Sequence, residues 1–381
     1  MPSPSYSTGL GALSKLSEIK GLHQPKKTLL VRGKQSFVAC GAAKVIGRQF
    51  DQAELVSFSD FETNPKVEDA LRGVELARAN KIDLIIAVGG GSAMDMAKLI
   101  KAFYRDPTQA EAIATGVEAS RDPAIPLVCI PTTAGSGSEA TQFAVVYIGK
   151  EKFSLVAPHI LPNQIILDGA LIKSNSSRQR AINGLDAVAQ AIESAWAVSS
   201  SSESQALAFE ALALSWSTLP KVVHGGSPLE LQTMLEAANL AGQAINHTRT
   251  TAAHAFSYAF TSHHGVPHGH AVWLTLPAIF QAHLDAEDNS VQDPRGPTHL
   301  AATMDKLVKL LGIRDKSQAC QTLKDFVASL GLETDMSKLG AINLEQRSFL
   351  SHQVNLERMG NNPVQLSNKD IAGIFDLKGE S

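Results

Sequence analysis

The stretch from Asn246 to His270, NHTRTTAAHAFSYAFTSHHGVPHGH, holds six of the chain's twelve histidines. Imidazole is the commonest protein ligand for borderline transition metals, which makes this the first place to look for chemistry. His254 and Tyr258 lie four apart in an Ala/Phe-rich run, so on a helix they share one face. Pro267 and His268 follow a Gly-Val turn that feeds the next apolar run, AVWLTLPAIF. A helical histidine and a second one beyond a turn can meet at a single ion. A satisfied polar network or a polar surface accounts for the same cluster equally well, so the case depends on partners elsewhere.

One partner is in GLDAVAQAIES, where Asp186 and Gln190 are four apart on a helix otherwise made of small and apolar residues. A buried carboxylate needs a compensating group, and a cation is the simplest; a cap or a helix–helix hydrogen bond is the alternative. Asp186, His254 and His268 together form a plausible three-ligand catalytic set, with the Gln190 amide oxygen as a weaker fourth.

Two turns have the composition of anion sites. Gly89-Gly90-Gly91-Ser92 joins an apolar strand to a helix, where backbone N–H groups and the helix dipole favour a phosphate. Ser92 as the helix cap and Asp95 three residues on resemble a capping box. Pro131-Thr132-Thr133-Ala134-Gly135-Ser136-Gly137-Ser138 again follows an apolar strand and combines hydroxyls with glycines. Each reads alternatively as a plain turn or a surface loop. Two such turns at the carboxyl ends of strands in one sheet would share the crevice where α/β proteins bind ligands. The GxGxxG fingerprint is absent.

The elements that must position these groups follow from hydrophobic patterning. Lys27–Val31, Ala53–Ser57, Ile82–Val88 and Pro126–Ile130 read as strands, with Phe143–Tyr147 and Ile165–Leu167 as further candidates. Between them, SFVACGAAKVIGRQF, PKVEDALRGVELARAN and AMDMAKLIKAFY read as helices. This order predicts an α/β fold with a mostly parallel, doubly wound sheet. Strand signals nearly vanish after Ser174, which predicts an all-α domain at 178–381 behind an α/β domain at 1–177. Ser199–Ser202 breaks the first long helical stretch.

The totals agree with an ordinary globular protein. At 381 residues two domains are expected. A net charge of −3 with 44% apolar and 19% charged residues argues against nucleic acid or an anionic membrane as a partner. No window approaches the ~18 apolar residues of a membrane span. The N-terminus lacks signal-peptide order, and Cys40, Cys129 and Cys320 form no CxxC; both predict a cytoplasmic protein.

Taken together, Asn64-Pro65, VGGGSAMDMAK (Val88–Lys98), PTTAGSGSEAT (Pro131–Thr141), Lys152, LPNQIILD (Leu161–Asp168), GLDAVAQAIES and AHAFSY…VPHGHAV resemble the iron-dependent (group III) alcohol dehydrogenase family over nearly the whole chain. The resemblance implies a dehydroquinate synthase-like fold: an N-terminal dinucleotide-binding domain, a helical domain, and a divalent metal, Fe2+ or Zn2+, in the cleft. In that family the metal is held by Asp and His four apart and by two His fourteen apart. Asp186, His254 and His268 fit this pattern, while Gln190 stands where the second ligand is normally His. Tyr258 replaces a further His often found near the nicotinamide. The resemblance also places Gly89, Gly90, Gly91, Ser92, Asp95, Thr132, Thr133, Ser136, Ser138 and Lys152 at the cofactor, and implies a homodimer.

Gln190 at the ligand position and the basic residue just before the threonines are similar to the family's phosphonoacetaldehyde reductase branch. Arg249 beside Thr250 and Thr251, near a helix start, suits a phosphonate dianion; a solvated surface charge is the alternative. His264 is a further candidate at the substrate. The expected reaction is reduction of a small aldehyde to a primary alcohol, most specifically phosphonoacetaldehyde to 2-hydroxyethylphosphonate. A general alcohol dehydrogenase of the same family is the runner-up, and Tyr258 is the candidate proton donor. NAD-specific relatives place an Asp after the first strand; here Arg32-Gly33-Lys34 stands instead, which favours NADPH over exclusive use of NADH.

Overall fold

The computed structural model describes residues 3–51, 53–339, 342–354 and 356–377. It divides into two compact units: Met1–Asn175 with Ser227–Gly242, and Ser176–Gly226 with Gln243–Ser381.

The first unit is built on a six-stranded, wholly parallel sheet. Its strands are β1 (Ser5–Thr8), β2 (Thr28–Arg32), β3 (Leu55–Phe58), β4 (Leu84–Gly89), β5 (Leu127–Pro131) and β8 (Gln164–Leu167). They lie in the order β1-β8-β5-β4-β2-β3. A separate antiparallel hairpin joins β6 (Phe143–Ile148) to β7 (Glu151–Val156). The central strands are apolar on both faces because both are covered. Leu29, Val31, Ile85, Ala87, Leu127 and Cys129 pack with α1 (Val67–Ala79) and α2 (Gly91–Phe103) on one side. Leu30, Leu84, Ile86, Val88, Val128 and Ile130 meet Leu13, Leu16, Phe37 and Ile46 on the other.

The chain leaves β2 for β3 on one side and returns with β4 on the other, so the order of strands reverses between β2 and β4. Open α/β sheets bind ligands at such a switch point. Arg32-Gly33 and Gly89 end these two strands, and Gly33 N–H donates to Val88 O at 3.2 Å.

Sequence patterning finds the interior of this unit but not its margins. β1 has mainly exposed residues and no apolar run, so nothing in it signals a strand. The segment expected as one helix around Ala39 is two, Ser36–Ala39 and Ala42–Gln49, because Gly41 adopts a left-handed φ of 84° between them.

The second unit is helical, and among its described residues no strand occurs. Its centre is α3 (Ser177–Trp196), started by a capping box between Ser176 and Gln179 and buried without interruption from Gly184 to Trp196. Close approach is made possible by Gly184, where a Cβ would lie 2.1 Å from Leu219 of α4 (Ser202–Val223). The serine cluster ends one helix and starts the next, with Ser201 capping α4. After α5 (Pro228–Thr248), whose residues up to Gly242 belong to the first unit, come α6 (Ala252–His264), α7 (His268–Trp273) and α8 (Leu276–Leu284). Among the described residues, no helix is long and apolar enough to cross a membrane.

Candidate metal and cofactor sites

Three elements of the second unit bring the three candidate ligands together. α3 contributes Asp186, α6 contributes His254 in its first turn, and α7 opens with His268. One ligand atom from each of these residues lies within 4.8 Å of the other two. His254 Nε2 is 3.3 Å from Asp186 Oδ1, and His268 Nε2 is 3.9 Å from the same oxygen. The two imidazole rings stand 5.3 Å apart at 67°. α7 reaches α3 because Gly269 has no side chain: a Cβ there would sit 2.1 Å from Ile182 O. Trp273 Nε1 fixes the other end of α7 by donating to Leu185 O at 2.8 Å.

The donors fit a divalent ion. One hard carboxylate with two imidazoles is the set that zinc and ferrous iron accept. Asp186 and His254 are buried, and burial alone would raise the Asp186 carboxyl. The hydrogen bond from His254 and the nearby His268 outweigh it and hold that carboxyl below the usual range. Burial would likewise lower the His254 imidazole, but the charge of Glu193 and the bonds to Asp186 and Glu193 push it up to about 10.

Gln190, buried one turn after Asp186, hydrogen-bonds the Asp186 carboxylate through its side chain. Tyr258 lies one turn beyond His254, with its ring 6.1 Å from the His268 ring and nearly parallel to it. Arg249 and Thr250 form the link between α5 and α6. Arg249 has a left-handed φ of 63°, a conformation that costs a non-glycine residue energy and must be held by its surroundings. Asn361 does so by donating through Nδ2 to both Thr248 O (2.8 Å) and Thr250 O (3.0 Å), on either side of Arg249. His264 is not drawn into the cluster; it lies in the last turn of α6, beside His263.

Sequence reasoning missed Glu193. This carboxylate is fully buried and accepts from Thr251 N, Thr251 Oγ1, Ala253 N, His254 N and His254 Nδ1. Burial opposes its charge, but His254 and the other donors bring the Glu193 carboxyl below its ordinary range. The signal was available: Glu193 follows Asp186 by seven and Gln190 by three, so all three share a face of one helix.

In the first unit the two candidate turns touch. β4 and β5 are neighbours, and Thr132 N–H donates to Gly89 O at 2.8 Å. A Cβ on Gly90 would lie 3.2 Å from Thr133 Oγ1, and one on Gly91 would lie 2.8 Å from Ser136 Oγ. Glycine therefore leaves a bare backbone cradle at the start of α2, whose positive end faces it. Thr132 Oγ1 is buried there without a hydrogen-bond partner among the described residues, as a group awaiting a ligand would be.

The capping-box reading of Ser92 and Asp95 is corrected. α2 begins at Gly91 after Gly90, so Ser92 lies inside the helix and its hydroxyl donates to Thr63 O. Asp95 turns inward, accepting from Ser138 Oγ at 2.5 Å and from Val145 N at 3.1 Å. Beside it the buried Lys98 ammonium donates to Ser138 Oγ, Thr141 Oγ1 (2.8 Å) and Phe143 O (2.9 Å). Asp95 and Ser138 thus tie the second turn to α2 and the hairpin. Lys152 is on β7, and its charge acts on Asp95.

At the switch point, Arg32 Nε donates to Ser57 Oγ at 2.8 Å, and the guanidinium lies 5.2 Å from the centre of the Phe37 ring. Lys34 is exposed and pairs with Asp60 at 3.6 Å. No acidic side chain occupies the residues that directly follow β2, which are Gly33, Lys34 and Gln35.

Comparison with known proteins agrees with this architecture. The profile of iron-containing alcohol dehydrogenases matches residues 3–169, and that of the Fe-containing alcohol dehydrogenase family, C-terminal, matches residues 180–378. A phosphonoacetaldehyde reductase of Streptomyces viridochromogenes is 31% identical over 80% of this chain and 78% of its own. A long-chain-alcohol dehydrogenase of Geobacillus thermodenitrificans is 28% identical over 98% of this chain and 94% of its own. The crystal structure of sulfoacetaldehyde reductase from Bifidobacterium kashiwanohense in complex with NAD+ superposes with a TM-score of 0.86 at 26% identity, covering 100% of this chain and 98% of that one. The chain belongs to the iron-containing alcohol dehydrogenase family and is an NAD(P)-dependent alcohol dehydrogenase or aldehyde reductase.

Proposed function

We propose that this enzyme reduces a small aldehyde bearing a phosphonate, most specifically phosphonoacetaldehyde to 2-hydroxyethylphosphonate. The observation that carries the reductase reading is the convergence of Asp186, His254 and His268 on one point. In this reading those three residues, with Gln190 beside Asp186, hold one divalent ion, Fe2+ or Zn2+, which when bound supplies Lewis-acid polarisation of the aldehyde carbonyl. NAD(P)H, cradled by Gly89–Ser92 with Thr132, Thr133 and Ser136, supplies the hydride.

The chain's own residues do the rest. Arg249 and Thr250 bind and orient the phosphonate: a guanidinium matches its oxygens in pairs, and the Asn361 clamp presets the backbone that carries it. Tyr258, next to His268, delivers the proton that the product alcohol needs. Arg32 and Lys34 receive the 2′-phosphate of NADPH. The two relatives named for acetaldehydes that carry an acidic group, phosphonate in one and sulfonate in the other, support an anionic two-carbon substrate. The second reading, a general alcohol dehydrogenase, draws on the near full-length match to the long-chain-alcohol dehydrogenase. A homodimer is the assembly we expect.

Steady-state kinetics on phosphonoacetaldehyde, sulfoacetaldehyde and acetaldehyde separate the two readings. Phosphonoacetaldehyde should have the highest kcat/KM, and Arg249→Ala should raise its KM by about 10- to 100-fold, the loss of a charge-assisted hydrogen-bonded pair. Acetaldehyde turned over equally well, with Arg249→Ala leaving every KM unaltered, would favour the general enzyme.

A further inference from the structure

We propose that Glu193 is the positioning residue of the ion site, fixing which ring nitrogen of His254 is offered and anchoring the helix start from which His254 projects. This role rests on the reading of Asp186, His254 and His268 as ion ligands.

The first observation is the division of labour between the two carboxylate oxygens. Oε1 accepts from Thr251 N (3.1 Å), Thr251 Oγ1 (2.7 Å), Ala253 N (3.0 Å) and His254 N (3.3 Å). Those amides are among the first-turn donors that a helix cannot satisfy internally. Thr251, the residue at the cap position of α6, makes no side-chain cap of its own. Glu193 replaces that cap from a different helix. Oε2 is left for His254 Nδ1.

The second observation is polarity. A carboxylate only accepts, so the ring nitrogen facing it carries the hydrogen. Nε2 faces the Asp186 carboxylate and in the absence of an ion carries a hydrogen as well, so it is Nε2, the nitrogen not committed to Glu193, whose hydrogen an ion would replace. The hydrogen bonds behind Glu193 enforce the same direction. Trp196 Nε1 donates to Thr251 Oγ1 at 2.9 Å, so the Thr251 hydroxyl directs its own hydrogen onto Glu193. No group in this chain of bonds can reverse without burying an unmatched donor.

His268 is set differently. Its Nδ1 lies 3.4 Å from Ser257 Oγ, a hydroxyl that donates to His254 O at 2.8 Å, and its side chain is 35% exposed against 4% for His254. Carboxylates behind a ligating histidine generally act as Glu193 does.

Glu193→Gln keeps the shape and spoils the polarity. If its amide oxygen faces the four donors, its NH2 meets His254 Nδ1 and drives the ring hydrogen to Nε2; if it flips, the NH2 meets the four donors. Competition with a chelator should show Co2+ affinity weakened by about 10- to 100-fold, with a changed visible d–d spectrum. NADPH binding to the metal-free protein, followed by fluorescence, should be unchanged. A second measurement needs no variant: in wild-type protein loaded with 113Cd, His254 Nε2 should show scalar coupling to cadmium while Nδ1 keeps a slowly exchanging hydrogen. Wild-type Co2+ affinity in Glu193→Gln, or cadmium coupled through Nδ1, would overturn the role of Glu193 alone. Failure of the wild-type protein to take up either ion would overturn the ligand reading, and this role with it.

Discussion

Gly269→Ala is the smallest change that should disable the ion site without touching a ligand. The added Cβ would lie 2.1 Å from Ile182 O, 3.0 Å from Asp186 Cβ and 3.2 Å from Asp186 N. A relaxed carbon–oxygen contact needs about 3.3 Å, so α7 must back away from α3 by roughly 1 Å. His268 is the adjacent residue and would move with it, whereas metal–ligand distances tolerate only about 0.2 Å. Drawing α7 back against that overlap costs about 1–3 kcal/mol. Taken from the binding free energy, this weakens ion affinity by roughly 5- to 150-fold. Titration of the metal-free variant with Co2+ measures it directly, with circular dichroism showing that the helices persist. Wild-type ion affinity in Gly269→Ala would refute the claim that this glycine sets the approach of His268 to Asp186.

His254→Ala should abolish turnover while leaving NADPH binding intact; retained activity would count against any role for the ion. Gly137→Ala should lower the unfolding free energy by about 2–4 kcal/mol in urea, because Gly137 has φ of 58° and an added Cβ would lie 2.5 Å from Gly242 Cα. The His283 imidazole is pushed down to about 3 by burial, so it stays neutral in the folded chain while the unfolded chain takes up a proton below its ordinary value near 6.5. Folding stability should therefore fall as pH drops from 6.5 toward 3, at roughly 1.4 kcal/mol per pH unit from this group, and His283→Leu should flatten that slope. NADPH should be used at least as well as NADH, and Arg32→Ala should erode the NADPH rate first; a strong preference of the wild type for NADH would contradict the assignment of Arg32 and Lys34.

The parallel sheet was legible because its central strands are continuous apolar runs bounded by glycine- and serine-rich turns, a pattern that only two-sided burial explains. β1 escaped notice because an exposed edge strand carries no apolar period. The cluster of Asp186, His254 and His268 could be read from residue chemistry, the fourteen-residue spacing of the histidines and the family resemblance. Its support was only partly so, since the seven-residue spacing of Glu193 from Asp186 marks a shared helix face but not what that face meets. Glu193 reads as an ordinary helical glutamate until α3 is known to be buried on all sides, and Gly269 reads as a turn glycine until α7 is seen against Ile182. Asp95 and Ser138 illustrate the converse. Their types suit a capping box and an anion contact, yet each is engaged inside the protein, with Lys98 beside them.

The whole account depends on a single ion seated among three side chains. Diffraction data from crystals of the purified enzyme, collected at the absorption edges of iron and zinc, test this most directly. The account predicts one anomalous peak in bonding contact with Asp186, His254 Nε2 and His268 Nε2. An ion-loaded, active enzyme with no peak there, or with the peak on other residues, would contradict it.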